Sequence, residues 1–492
     1  MIRDALFDAL AARPAADVLF EGAGRPWTAG EVRELVEALA VRFTSHRVVA
    51  VLADNGPAWA IADLAARRAR VVHLPLPAFF TDAQVAHALA ATGADLVLTD
   101  QPTRFAGIQP AFTAQPAWQG LAWLERAVAP ADLPPGTAKI SFTSGSTGSP
   151  KGVCLTADGL LDTAMAVSAR LEAISIESHL AVLPLALLLE NVAGLYAPIL
   201  RGARVHLPSL EDLGWRGMAG FDPSALDRAV AATGASSAIL VPELLKAWTL
   251  YLAHARRRAS PALAFVAVGG ARVDRELLIR ARAAGLPAYQ GYGLTECGSV
   301  VTLNVPGDDG GGVGRALAHA HIRIDEHGEV RVATRAFAGY LGGEPRAPQD
   351  EHATGDLGTA QPDGHLALSG RRGNLLITSF GRNVSPEWVE SILLAQPAIA
   401  QAVVAGEGEP ALRAVLVATP GFDRHGVESA VGAANTLLPD YARIAGFTLA
   451  APFTTANGLA TGNGRPLRRR ILETLAASAA PTPPENPTHA VH

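Results

Sequence analysis

From Val48 to Thr99 the chain alternates between short apolar runs and helical stretches, with only brief links between them. Val48-Val-Ala-Val-Leu52 is a continuous apolar strand that ends at Asp54-Asn-Gly56 and turns into a helix from Pro57 to Arg68. Arg70 to Pro75 is the next strand, Asp82 to Ala91 the next helix and Asp95 to Thr99 the strand after that. A strand buried on both faces reads as an unbroken apolar run, and strand–helix alternation with short links builds a parallel sheet covered by helices. The expectation is an α/β domain.

The flanking segments extend this pattern. A first helix is followed by a hairpin-like stretch, Phe20 to Trp27, and Thr28-Ala-Gly-Glu31 has the form of a capping box before a helix from Val32 to Phe43. Gln109 to Gly136, rich in Pro, Gln and Ala, reads as a connecting loop. A helix is expected over Asp158–Leu171, a strand over His179–Pro184 and a strongly apolar helix over Leu185–Tyr196. Strands over Ala203–Leu207 and Ala238–Val241 bracket helical sequence from Ser224 to Thr233, and a strand over Leu263–Val268 runs into Gly269-Gly-Ala271. A strand ending in paired glycines lets a ligand approach the backbone at a sheet's carboxyl edge.

The stretch with the most chemistry is Ile140-Ser-Phe-Thr-Ser-Gly-Ser-Thr-Gly-Ser-Pro-Lys-Gly152. Glycines permit close backbone approach, the hydroxyls of Thr143, Ser144, Ser146 and Thr147 add donors, and Lys151 adds a point charge, which together suit a phosphate chain. It is not a Walker A loop, because Pro150 stands where the glycine before the lysine is required. That disfavours a simple P-loop ATPase. A second stretch, Tyr289-Gln-Gly-Tyr-Gly-Leu-Thr-Glu296, has Gly291 and Gly293 but no third glycine, so it is no dinucleotide fingerprint.

Composition narrows the class. The 492 residues allow two or more domains, and 49% apolar with 18% charged residues is ordinary globular usage. A net charge of -5 argues against a nucleic-acid or membrane-surface partner. Two cysteines exclude a disulfide framework or thiolate metal cluster, and Asp4 and Asp8 interrupt any signal-peptide core. No window has the length of uncharged apolar sequence that a membrane helix needs, and a cytoplasmic enzyme is the expectation. His319, His321, His489 and His492 lack metal-site company and read as surface or structural. Basic residues are nearly all arginine: the only lysines are Lys139, Lys151 and Lys246, so a retained lysine is informative.

The order T-S-G-S-T-G-x-P-K-G resembles the phosphate loop of the adenylate-forming superfamily, which includes acyl-CoA synthetases, aryl-CoA ligases, peptide adenylation domains and luciferases. The resemblance spans about residues 18 to 472. It implies a large N-terminal ATP- and acid-binding domain (1–370), a hinge (371–376) and a small mobile α+β C-terminal domain (377–479). Residues 480–492, rich in Pro, Thr and Ala, read as a disordered tail.

The same resemblance assigns roles. Thr143, Ser144, Gly145, Ser146, Thr147, Gly148 and Lys151 would hold phosphates. Tyr292, between Gly291 and Gly293, would stack on adenine, Thr295 would meet the α-phosphate and Glu296 would hold Mg²⁺. Asp356, in Ala353-Thr-Gly-Asp, would take the ribose hydroxyls, with Arg371 as the second ribose or phosphate contact. Gly269, Gly270 and Ala271 would border the acyl pocket, where Leu187 or Leu188 replaces the aromatic or histidine usual in relatives. Asn374 takes the hinge position. Arg465 stands where the family has its adenylation lysine.

The implied reaction is ATP-dependent activation of a carboxylic acid, fatty or otherwise apolar, to acyl-AMP and transfer to a thiol. That thiol is CoA or the phosphopantetheine of an acyl carrier protein. Because arginine is planar and forked where lysine is compact, Arg465 also admits an alternative. This is a degenerate member acting only in the thioester half-reaction, or binding nucleotide or acyl-adenylate without turnover.

Overall fold

The computed structural model describes residues 4–143, 151–216, 220–347, 350–379, 382–461 and 464–479. The chain divides into two compact units, Met1–Leu375 and Leu376–His492. Each is an α/β assembly with its own core.

The larger unit is built on two large sheets. The first runs in the order Phe337–Tyr340, Lys151–Thr156, Thr137–Thr143, Val72–Pro75, Val48–Leu52, Leu96–Thr99, Leu121–Glu125, Thr113–Trp118. Its centre is parallel: Val48–Leu52 pairs in parallel with both neighbours, and every residue of that strand is buried. The second places Ser178–Leu180, Ser237–Leu240, Phe265–Val268 and Ala288–Tyr292 in parallel succession. A four-stranded antiparallel sheet, His321–Ile324, Glu329–Ala333, His352–Ala360 and Leu366–Arg371, completes the unit.

Local sequence explains the helices between these strands. Thr28 Oγ1 accepts from the Glu31 amide while Glu31 Oε2 accepts from the Thr28 amide, so the capping box starts helix Ala29–Phe43 as its spacing indicates. Its buried side, Val32, Val36, Leu39 and Phe43, follows the helical period. Helices Pro242–His254 and Arg275–Ala283, not read from sequence, close the second sheet around the fully buried Trp248.

Two expectations need correction, and one strand is added. Within Gln109–Gly136 the strands Thr113–Trp118 and Leu121–Glu125 form an edge hairpin, turning at Gln119 and Gly120 with positive φ. Alternating apolar residues seat it, with Leu121 and Trp123 buried, while Pro116 is tolerated because its strand is the edge. Lys151 begins a strand not read from sequence: Thr137–Thr143 and Lys151–Thr156 are antiparallel, with Thr143 opposite Lys151. Helix Ala157–Arg170 therefore starts at the far end of that strand, about 17 Å from Lys151 at the usual rise. The apolar helix begins at Leu188, after a turn at Leu185–Leu187, and is π-helical over Glu190–Tyr196. Pro198 explains the widening: it has no N–H for the carbonyl of Gly194 and its ring would crowd that carbonyl, and the Ala197 amide bonds Val192 instead.

The smaller unit has the strands Ile399–Ala405, Leu412–Ala418 and Ile444–Leu449 in that spatial order, the first pair antiparallel and the second parallel. Helices Pro386–Ala395 and Arg424–Thr436 cover it through Val389, Ile392, Val427 and Ala434. Arg468 ties helix Arg468–Ala479 to Glu390 at 2.7 Å.

Candidate active site

The hairpin Thr137–Thr143/Lys151–Thr156 holds the two ends of the proposed phosphate loop in register. Ser144, Gly145, Ser146, Thr147 and Gly148 lie outside the described residues, so their roles stay expectations. Lys151 is exposed at the hairpin's open end, its Nζ 5.7 Å from the centre of the Tyr340 ring. Tyr340 ends the neighbouring edge strand and donates its hydroxyl to Glu296 Oε1 at 2.9 Å. A cation, a phenol and a carboxylate from three chain segments thus converge. Burial, reinforced by the Glu296 charge, raises the Tyr340 phenol well above its ordinary pKa, so it remains a donor.

Glu296 and Thr295 occupy a short helical turn, Thr295–Cys297, directly after the strand Ala288–Tyr292. Gly293 is required for that exit: a Cβ there would lie 1.7 Å from the Ser299 carbonyl oxygen. Burial and the neighbouring Glu296 push the Cys297 thiol far up, which removes it as a nucleophile.

A second cluster forms where the strand meets the four-stranded sheet. Tyr292 donates to Asp356 Oδ2 at 2.7 Å, and Arg371 Nε contacts Asp356 Oδ1 at 2.7 Å. Asp356 and Arg371 face each other across adjacent antiparallel strands, so sheet register sets this pair. Each carboxylate oxygen keeps further acceptor capacity beyond its protein donor.

At the end of strand Phe265–Val268, Gly269 lies near the carbonyl of Gly291. Gly270 has φ +85°, and Ala271 is exposed. The leucine facing this turn is Leu189, whose Cδ2 is 3.5 Å from a Cβ built on Gly269. Leu187 and Leu188 instead pack toward different cores. The three-residue turn before the helix rotates the face that an unbroken helix from Leu185 would present.

Asn374 closes the short turn Arg372–Asn374 at the end of the larger unit. Arg465 belongs to the smaller unit, exposed in a turn closed by the Thr461 amide donating to the Arg465 carbonyl at 2.8 Å. Among the described residues no group of three or more His, Cys, Asp or Glu could hold a metal, and no helix is long and apolar enough to cross a membrane. His319 is partly buried and its ring pKa is lowered to about 4, first by burial; His321 is exposed. His489 and His492 lie outside the described residues.

Residues 6–341 match the family described as AMP-binding enzyme, and the chain belongs to that family. Among its relatives, a long-chain-fatty-acid–CoA ligase FadD15 of Mycobacterium bovis is 35% identical over 158 residues, 31% of this chain and 26% of the relative. A 2-succinylbenzoate–CoA ligase of Bacillus velezensis is 29% identical over 291 residues, 56% of each chain. The alignments thus span from about a quarter to just over half the length of these curated relatives. The fold is that of the o-succinylbenzoate CoA synthetase of Bacillus subtilis solved with its acyl-adenylate, with TM-score 0.75 at 22% identity over 95% of this chain and 97% of that one.

Proposed function

We propose that this protein activates an apolar carboxylic acid with ATP and transfers the acyl group to a thiol. The observation that carries this reading is the convergence of Lys151, Tyr340 and Glu296 at the open end of the hairpin, in a chain of the AMP-binding family. In the first step a carboxylate oxygen bonds to the α-phosphorus of ATP and the bond to pyrophosphate breaks. In the second the thiol sulfur bonds to the acyl carbon, AMP leaves and the thiol proton passes to solvent.

The chain's part is positioning and charge. Thr143, Lys151 and the residues between them would hold the phosphates, with Thr295 at the α-phosphate. Tyr292 would lie against adenine, and Asp356 with Arg371 would take the ribose. Glu296 fits Mg²⁺: Tyr340 is its one hydrogen-bond donor among the described residues, leaving oxygen for a hard cation that takes its other ligands from phosphate and water. When bound, the ion neutralises charge on the leaving pyrophosphate. Gly269, Gly270, Ala271, Leu187, Leu188 and Leu189 would wall the acid site, Asn374 would serve as hinge, and Arg465 would provide the second cation for adenylation.

The apolar wall, with relatives named for a long-chain fatty acid and for 2-succinylbenzoate, supports a fatty or other apolar acid. Free CoA is the first acceptor to test; the arm of an acyl carrier protein presents the same thiol. A cytoplasmic setting belongs to the same proposal, with Cys154 and Cys297 both buried free thiols.

The test is acid-dependent ATP–pyrophosphate exchange with octanoate, palmitate, benzoate and 2-succinylbenzoate, followed by AMP release with CoA. Exchange with at least one acid and CoA-dependent AMP release are expected. If ATP binds but no acid supports exchange, while Arg465→Lys restores it, the second reading holds: a member confined to the thioester step or to binding.

A further inference from the structure

The helical segment behind the acid turn carries more buried polar chemistry than an apolar wall needs. Glu190 is fully buried; its Oε1 lies 2.8 Å from His179 Nε2 and its Oε2 accepts from the Leu183 amide at 3.0 Å. His179 Nδ1 lies 2.9 Å from Ser237 Oγ, and the serine is itself anchored on the Ser178 carbonyl. Gly194 makes room for the pair: a Cβ there would lie 2.0 Å from Glu190 Oε1 and 2.8 Å from His179 Nε2. The next residue, Asn191, and Tyr196 further along the segment reach the other way, donating to Asp63 Oδ2 at 3.1 and 2.6 Å. The π-helical segment is therefore fastened to the second sheet through Glu190, while Asn191 and Tyr196 fasten it to Asp63 on helix Pro57–Ala69 and to Lys139 on strand Thr137–Thr143 of the first sheet.

Leu189 directly precedes this clamp and packs against the cores of both sheets, facing Gly269. Apolar packing alone tolerates rotation of a helix about its axis, whereas hydrogen bonds in opposite directions do not. A one-residue slip from π to α register would turn Leu189 by about 100° relative to the residues that follow.

We propose that Glu190 is a positioning residue for acid selection: through His179 and Ser237 it fixes the π-helical turn so that Leu189 sets the size of acid admitted beside Gly269. This rests on the acid-activation reading above. Burial pushes the Glu190 carboxyl up, against the His179 contact, in keeping with a group retained for direction rather than for charge. Glu190 does not touch the reacting atoms on this account.

The experiment compares wild type, Glu190→Leu, Glu190→Gln, Leu189→Ala and the Leu189→Ala/Glu190→Leu double variant. Exchange kinetics are measured with butanoate, octanoate and dodecanoate, and binding of cis-parinarate is followed by fluorescence without ATP. Glu190→Leu should change the dodecanoate-to-butanoate ratio of kcat/KM about tenfold, through the acid KM and not the ATP KM. Glu190→Gln, which keeps an acceptor for the Leu183 amide, should restore the ratio to within about threefold. Leu189→Ala should shift the same ratio, and the double variant should add nothing further. A folded Glu190→Leu variant with the wild-type ratio and wild-type cis-parinarate affinity overturns the inference, even if its Tm falls. Should Glu190→Leu fail to fold, His179→Gln carries the same expectation and the same overturning result. Wild type that binds cis-parinarate without exchanging any acid refutes the activation reading alone, and the positioning claim is then decided by the binding arm; absence of both refutes both.

Discussion

Two of the three lysines sit on partnered strands of one hairpin and have opposite surroundings. Lys151 is exposed at the open end, near the face of an aromatic ring. Lys139, on the strand Thr137–Thr143, is buried: its Nζ is 2.6 Å from Asp63 Oδ1 and 3.2 Å from the Tyr196 hydroxyl, and it also donates to Asn191 Oδ1. His73 Nδ1 approaches the same carboxylate at 2.6 Å. Both lysines stand in an arginine-rich chain, yet only Lys151 is exposed. A compact ammonium fits a closed cage of oxygens where a planar guanidinium does not, so packing can retain a lysine as firmly as chemistry can.

The largest expected effect divides them by stability. Lys139→Met leaves the Asp63 carboxylate buried without its cation and should cost about 3–5 kcal/mol, read by urea unfolding. A loss below about 1 kcal/mol would show that the cage is incidental. Lys151→Ala should do the reverse, lowering kcat/KM for ATP in the exchange assay by about 100-fold while leaving the unfolding midpoint in place. Unchanged ATP kinetics would remove Lys151 from the site.

The two surroundings also differ in acid. Burial lowers the His73 pKa despite Asp63, so the folded state binds its proton more weakly than the unfolded chain does. Its contribution to stability is thus full above about pH 6.5 and falls as the pH drops below that, by up to about 1.4 kcal/mol per unit. Unfolding titrations of His73→Gln should show a shallower slope between about pH 6.5 and 5 than wild type; equal slopes contradict a neutral His73. Smallest is Tyr340→Phe. Losing its hydrogen bond to Glu296 should cost about three- to tenfold in kcat/KM for ATP, with Tm nearly unchanged. A loss as large as that of Lys151→Ala would mean that the phenol does more than orient the carboxylate.

Much of this was legible in the chain. The apolar run Val48–Leu52 and the capping box at Thr28 specify a buried strand and a helix start through local physics alone. The glycine- and hydroxyl-rich run ending at Lys151 suggests a phosphate loop, most of which lies outside the described residues. What local sequence could not carry was anything set by a partner distant in the chain. Tyr340 went unread because its hydroxyl matters only once strand pairing brings it to Glu296. Which leucine faces Gly269 is decided by one turn before the helix, which the apolar run does not reveal. The edge hairpin was hidden by Pro116, which reads as a breaker until its strand is known to be an edge.

That hairpin has a consequence for the protein's behaviour in solution. A sheet edge offers unpaired amides and carbonyls to any other chain, and an eight-stranded sheet is a large template. At one edge stands Thr113–Trp118, exposed along nearly its whole length and interrupted by a residue that cannot donate. The strand at the opposite edge, Phe337–Tyr340, is largely buried and carries the tyrosine that meets Glu296. Pro116→Val would restore a backbone donor to that edge and is expected to favour edge-to-edge pairing of copies of the chain, read as a larger species on size-exclusion chromatography.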